Sequence, residues 1–383
     1  MKYLFLALVF FLPTQLGVHF WPNFAFINGV RIDYFAPTIY FTDILIVMLA
    51  ASSIYKNGFR TPAGMTLVVL FALINIYFSI STELSIYKWL KVLEFVWLGL
   101  WIKTNFQKSW EKDFVKVLSA TIFFQSFLAF GQVITQRSLG GIFYWFGERT
   151  FSAATPGIAQ AVINGELFLR PYGTFSHPNV LAAFLFLSII IIYRFRKNIS
   201  KKLLVVVLIV ASATILLTIS RLFLISLIIF LLWILVNRKL FFIILVFGFA
   251  VSTFYFLENI FLDQSFQIRE NLVLATLNII QNNFIFGTGL GTNILALQNY
   301  SKNLFFNSQP LAYLQPVHNI FLLVLSEVGI LGLLLFFKLF FKKNFLIFVI
   351  LFLGLFDHYF LTVQQGQLLL VLILGIIYSC QKS

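Results

Sequence analysis

The sequence predicts an all-α polytopic membrane protein of about twelve transmembrane helices, forming one integral membrane domain over residues 1–383. Three observations carry that expectation. Hydrophobic residues make up 60% of the chain and charged residues only 10%, with a mean hydropathy of +0.95. Apolar runs of roughly the 17–25 residues needed to cross a bilayer recur along the whole length. The connections between them alternate between rich and poor in Lys and Arg, as cytoplasmic and external loops do.

The first run, near 3–20, follows Lys2 like a signal peptide but lacks a small-x-small cleavage site, so it is expected to remain as the first span. Spans near 34–55 and 63–80 are joined by a loop with Lys56 and Arg60. The fourth, near 86–102, and the fifth, near 114–135, enclose Lys103, Lys108, Lys112 and Lys116. The sixth, near 178–194, leads through Arg194, Arg196, Lys197, Lys201 and Lys202 into the seventh, near 202–219. The eighth, near 221–237, follows so tightly at Ser220-Arg221 that the two form a hairpin. Arg238 and Lys239 separate it from the ninth, near 240–257. The tenth, near 319–337, reaches Lys338, Lys342 and Lys343 before a short eleventh near 344–357 and a twelfth near 364–380.

With Lys2 and Lys382, these loops hold 18 of the 27 basic residues and only Glu111 and Asp113 among the acidic ones. Both termini are therefore placed in the cytoplasm. The formal charge of +14 is a topology signal and gives no reason to expect a nucleic-acid partner. The single cysteine, Cys380, excludes a disulfide framework and a Cys-based metal site.

Two long loops fall outside, at about 136–177 and 258–318. Both are polar, glycine-bearing and too long for simple connectors. The second contains SFQIRENLVLATLNIIQNNF. Its Ile268, Leu272, Ala275 and Ile279 line one helical face, with Gln267, Glu270, Asn271, Asn278, Gln281 and Asn282 largely elsewhere. This predicts an external amphipathic helix that lies on the membrane or caps the bundle. GTGLGT at 287–292 has neither the preceding strand nor the following Lys of a nucleotide loop and reads as a flexible turn. No period of 20–50 residues repeats.

Nine basic residues remain off the cytoplasmic face, and six of them are Arg. A guanidinium offers a planar fork of donors suited to phosphate oxygens, so this bias points to a phosphate or diphosphate substrate. Lys88 and Lys91 lie beside Glu83 and Glu94 and read as helix-surface pairs. Arg221, at the hairpin turn, either snorkels to headgroups or binds a ligand. Arg269, at the start of the loop helix, either pairs with a local carboxylate such as Asp263 or serves that ligand.

Arg170 opens RPYGTFSHPNVLAAFL, which enters the sixth span. Pro171 and Gly173 bend the chain, Ser176 is placed to satisfy free amides, and Pro178 suits a first helical turn. Arg170 and His177 are left open between structure and function. The stretch VHNIFLLVLSEVGILG, Val317 to Gly332, puts His318 at the mouth of a span. A neutral imidazole there could take a proton from a hydroxyl near neutral pH. Glu327 further in is expected to face inward and pair with a polar group. FDHYFLTVQQGQLL puts Asp357, His358, Gln364, Gln365 and Gln367 at the outer ends of the last two spans. They either hydrogen-bond sugar hydroxyls or tie helices together. No His/Asp/Glu trio stands at ligand spacing and no Ser-His-Asp set is evident, so neither a metal nor a cofactor is expected.

Four features recur in order: Arg-x-x-Gly-Thr-Phe-Ser-His-Pro-Asn at a span entrance, Ser-Arg at a hairpin, an Arg-bearing loop helix leading to GTGLG, and HN-xxL-xxxSE-xGIxG. Together they resemble the O-antigen ligase and polymerase superfamily over roughly residues 150–365. The resemblance implies a GT-C-like membrane glycosyltransferase that works without a metal on the external face of the bacterial inner membrane. Such enzymes move a glycan from an undecaprenyl-diphosphate carrier to an acceptor hydroxyl on a glycan, lipid or protein, as in lipopolysaccharide and other surface-polysaccharide assembly. It further implies that Arg221, Arg269 and Arg170 hold the diphosphate and that His318 is the catalytic base or orients the acceptor. His177, Asn179, Asn319, Glu327, Asp357 and His358 would support them. The modest external loops depart from the pattern and leave the acceptor class open. A second class, a transporter or flippase of an anionic or lipid-linked solute, needs midplane charges and broken helices in two related halves. The sequence shows no such repeat.

Overall fold

A computed structural model describes residues 1–58, 64–163, 165–235, 264–300 and 313–379. The predicted ninth span, near 240–257, lies outside these residues, as do Arg60, Arg238, Lys239, Asp263, Lys302, Cys380 and Lys382. The chain is mostly helical, which is consistent with a membrane protein. In order, the helices of the first part are α1 (Lys2–Phe11), α2 (Phe41–Asn57), α3 (Met65–Tyr77), α4 (Thr82–Asn105), α5 (Glu111–Thr135), α6 (Pro178–Arg194), α7 (Lys201–Leu217) and α8 (Arg221–Leu235). Then come α9 (Gln264–Asn282), α10 (Asn293–Tyr300), α11 (Ile320–Lys338), α12 (Phe345–Gly354), α13 (Tyr359–Thr362) and α14 (Gln364–Ser379).

Two stretches among the described residues, 108–135 and Ile320–Lys338, are helical, long and apolar enough to cross a membrane, beside six shorter apolar helices of 10–17 residues. The twelve-span expectation is thus met in part. The first two predicted spans show why. Helix α1 stops at Phe11, short of Pro13, and its ten residues reach only about 15 Å. Helix α2 begins at Phe41 rather than at 34, because Asp33–Phe35 forms a single 3-10 turn, Thr38–Tyr40 is a strand, and Phe35 and Ala36 are buried outside any long helix. Hydropathy reports burial, and here part of the apolar run is buried in a loop core rather than in a helix.

The chain forms two compact units. The first comprises residues 1–17, 40–49 and 108–260. In it α5, α6 and α7 pack on one another, with α1 against α5 and α8 against α6 and α7. Helix α6 is apolar all round and buried along nearly its whole length, as a central helix must be. The long segment 136–177 is an ordered module. It carries a hairpin pairing Gln160–Ile163 with Glu166–Leu169 and a small core of Phe151, Leu169 and Tyr172.

Two buried glutamines on α5 hold the end of that module. Gln132 Oε1 accepts the Tyr172 and Gly173 amides at 2.9 and 2.8 Å, and its Nε2 donates to Glu148 and to the Gly173 carbonyl, both at 2.8 Å. Gln125 Oε1 accepts the Thr174 amide at 2.9 Å. Pro178 takes the first turn of α6 as expected, but the cap is His177 rather than Ser176: its Nδ1 accepts the Asn179 amide at 3.1 Å.

The second unit comprises residues 18–39, 50–107 and 261–383. Helix α4 packs along α14 and α3, while α9 packs on α10 and α11. The predicted face of α9 is the buried one: Leu272, Ala275 and Ile279 meet Ala296 and Leu297 of α10, with Ile268 partly covered. Its apolar side therefore faces protein, as a cap does, while Gln267, Arg269 and Glu270 are exposed.

Helix α11 is broken at Gly329, whose φ of 66° and ψ of −173° are non-helical. The loop before α10 repairs the break. The Ile330 amide donates to the Phe284 carbonyl at 2.9 Å, and the Thr288 and Gly289 amides donate to the Ser326 and Glu327 carbonyls at 2.9 and 2.8 Å. GTGLG is thus a fixed lock, not the flexible turn its sequence suggests. Gly287 has a φ of 71°, and a Cβ there would collide with the Glu327 backbone, so only glycine permits this approach. Asn75 of α3 clamps the same loop. Its Nδ2 donates to the Phe286 and Glu327 carbonyls at 2.9 and 3.0 Å, and its Oδ1 accepts Trp89 Nε1 at 2.8 Å and the Leu290 amide at 3.0 Å.

Replacing Asn75 by Ala strands several buried polar groups, each costing about 1–3 kcal/mol. Purified Asn75→Ala protein is expected to unfold at a clearly lower temperature in detergent than the wild type. An unchanged midpoint would show that this clamp is dispensable.

Candidate functional site

In the first unit the residues of interest gather at the start of α6 and the α7–α8 hairpin. Beyond α7 the chain turns through Ile219, a β-branched residue with φ of 49°. That left-handed conformation costs about 1–3 kcal/mol and needs support from its surroundings. Arg170 supplies it. Its Nε donates to the Thr218 carbonyl at 2.6 Å and one terminal nitrogen donates to Asn179 Oδ1 at 2.8 Å. Partial burial lowers the Arg170 pKa from its ordinary value. With its fork engaged on both sides, Arg170 acts here as the brace of the turn that presents Arg221.

Arg221 is exposed and opens α8. A guanidinium beside the free amides of a helix start favours an anion. His177 caps α6 and stands edge-on to Tyr172 with ring centroids 6.2 Å apart, while Arg149 lies over the Tyr172 ring, 5.6 Å from its centroid, and donates to the Ser176 carbonyl at 3.0 Å.

In the second unit His318 sits just before α11. Asn319 caps that helix by accepting the Phe321 and Leu322 amides, both at 3.0 Å, and its Nδ2 donates to the Leu355 carbonyl at 3.3 Å. The cap therefore ties the His318 segment to the one carrying Asp357 and His358. The rings of His318 and His358 meet edge-on, centroids 4.8 Å apart. One ligating atom from each of His318, Asp357 and His358 lies within 4.8 Å of the other two. Sequence spacing shows no such trio because 39 residues separate His318 from Asp357; the fold assembles it.

Glu327 faces inward and is 7% exposed. Its carboxylate accepts the Asn293 amide at 3.1 Å, Asn293 Nδ2 donates to Ser326 Oγ at 3.1 Å, and Asn293 Oδ1 accepts the Val317 amide at 3.2 Å. Asn293 thus connects Glu327 to the residue adjoining His318.

The sequence assigns Lys88 a different role and does not single out Tyr34, Asn75, Gln125 or Gln132. Lys88 and Lys91 were both expected to pair on the helix surface; Lys91 does pair with Glu94, at 3.5 Å, but is itself buried. Lys88 instead lies against Gly291 and donates to the Tyr34 carbonyl at 2.6 Å. Tyr34 in turn stands edge-on to His358, centroids 5.7 Å apart. Asn75 and the two α5 glutamines carried a usable signal, since each is a polar residue within a long apolar run.

The sequence-predicted residues divide between the units: Arg170, His177, Asn179 and Arg221 fall in the first, and Arg269, His318, Asn319, Glu327, Asp357 and His358 in the second. Residues 206–337 match a family model described as O-Antigen ligase, which supports the O-antigen ligase and polymerase superfamily. The matched stretch takes in Ser220-Arg221, Arg269, GTGLG, His318 and Glu327. No curated protein matches the chain.

Arg170→Ala removes one hydrogen bond to a strained turn and one to Asn179 of α6, and is expected to destabilise the protein by about 1–3 kcal/mol. Arg221→Ala, at an exposed position, should stay within about 0.5 kcal/mol of wild type. Thermal unfolding of the two purified variants checks the contrast; equal midpoints would remove the bracing role.

Proposed function

We propose that this chain belongs to the O-antigen ligase and polymerase superfamily, which its family match supports, and is a membrane glycosyltransferase that needs no metal and moves a glycan from an undecaprenyl-diphosphate carrier to an acceptor hydroxyl on the external face. The observation that carries this reading is the family match, which runs in order through the hairpin Arg, the loop-helix Arg and the His-Asn pair. Ligase and polymerase share the donor and differ in the acceptor, which is a lipid, a protein or a second carrier-linked chain.

The chemistry follows from the donor. A lipid diphosphate is already a good leaving group, so the protein has mainly to neutralise its charge as the glycosidic bond breaks. In this reading the guanidinium groups of Arg221 and Arg269 supply the neutralising charge. His318 takes the acceptor proton as the new bond forms, a contribution of about 10²–10⁴-fold. Arg170 acts through the turn it braces, and Glu327 through Asn293. The break in α11 is a feature transporters share. Here, however, the 284–289 loop takes up backbone groups on both sides of the break.

In a host that depends on this protein for surface glycan, Arg221→Ala, Arg269→Ala and His318→Ala are each expected to abolish display while the protein still inserts. Arg→Lys at either position should also impair it, because the planar fork is lost. Full display from the triple variant would refute the assignment.

A further inference from the structure

The geometry points to a second property of the cluster around His318: we propose that His318, Asp357 and His358 bind one divalent transition cation, Zn²⁺ by ligand chemistry, in reversible competition with the acceptor hydroxyl. The inference rests on the transferase reading only for that competition. The binding site itself stands on the cluster.

The donor set selects the class of ion. Two imidazoles and one carboxylate suit a borderline-soft ion such as Zn²⁺, whereas Mg²⁺ and Ca²⁺ prefer oxygen throughout. The span matches as well. Ligand atoms about 2.0–2.1 Å from a zinc ion lie roughly 3–4 Å from one another. The three ligating atoms here fall within 4.8 Å, so small side-chain rotations close the set. Three protein ligands leave a fourth position for water, the arrangement of an exchangeable ion.

His358 is also held as a ligand imidazole usually is. Thr362 Oγ1 donates to the His358 carbonyl at 3.1 Å and lies 2.7 Å from His358 Nδ1. In the tautomer protonated on Nδ1, the hydroxyl donates to the carbonyl and accepts from Nδ1. The neutral ring then carries its lone pair on Nε2, the nitrogen that would coordinate. Such a bond from the far ring nitrogen fixes tautomer and orientation in metal sites. Tyr34 packs against the same ring. The two ligand-bearing segments are already joined by the bond from Asn319 Nδ2 to the Leu355 carbonyl, two residues before Asp357.

An ion in this position occupies the imidazole lone pair that His318 would offer to a hydroxyl proton. Zn²⁺ is thus expected to inhibit transfer, and a chelator to restore it.

The test uses the four histidines of the wild-type chain. Chelator-treated protein in detergent is modified with diethyl pyrocarbonate with and without micromolar Zn²⁺, and each His is quantified by mass spectrometry. Zn²⁺ should protect His318 and His358 at least tenfold while leaving His19 and His177 unchanged. Uniform protection, or none, overturns the site. In a Co²⁺ titration, wild type should give a saturable visible absorbance at one equivalent, and Thr362→Val should weaken binding about tenfold. Equal binding in that variant, or no absorbance in wild type, also overturns it. Transfer that persists with His318 unprotected by Zn²⁺ removes the ion site alone; protection of His318 and His358 in a protein without transfer activity supports the ion site and removes the transferase reading alone.

Discussion

The second unit depends on one constraint: a backbone broken inside an apolar helix must find partners for the groups it frees. Gly329 breaks α11, and the loop from Phe284 to Gly289 meets it on both sides of the break. Unpaired, each such group would cost a large share of a domain's net stability. The loop can approach only because glycines at 287 and 289 adopt positive φ, and Asn75 bonds it at Phe286 and Leu290 while also binding Glu327 and Trp89. The consequence reaches the site. With the break fixed, Glu327 receives the Asn293 amide, and Asn293 receives the amide of Val317. The placement of His318 is thereby linked, through one asparagine, to a carboxylate nine residues along the chain.

The first unit solves a related problem with a guanidinium. Ile219 is held in a left-handed conformation that its branched side chain disfavours, and the neighbouring Thr218 carbonyl is claimed by Arg170. Strain of this kind persists only where surrounding bonds over-determine it. Arg170 thus joins the 170–179 motif to the Ser-Arg turn.

Much of the fold was legible in the sequence, for identifiable reasons. The face of α9 could be read because Ile268, Leu272, Ala275 and Ile279 keep helical spacing, and that face is the one covered. The hairpin at Ser220-Arg221 and the start of α6 at Pro178 were fixed by turn and cap chemistry. The ends of α1 and α2 were not legible, since hydropathy cannot separate an apolar helix from an apolar loop core such as that around Phe35. The candidate residues could be named one by one from the sequence, but their juxtaposition could not. Spacing cannot bring His318 to His358, and no local pattern distinguishes Lys88, which meets Tyr34, from Lys91, which pairs with Glu94. The lock formed by GTGLG was missed because its partner backbone lies some 40 residues away, at Glu327.

What decides the central claim most directly is product formation by the isolated protein. Purified wild-type chain, supplied with undecaprenyl-diphosphate-linked glycan and a hydroxyl acceptor in the presence of a chelator, is predicted to yield a new glycosidic bond and free undecaprenyl diphosphate, both detected by mass spectrometry. Intact carrier-linked glycan, with no acceptor modified across a panel of glycan, lipid and protein acceptors, would contradict it.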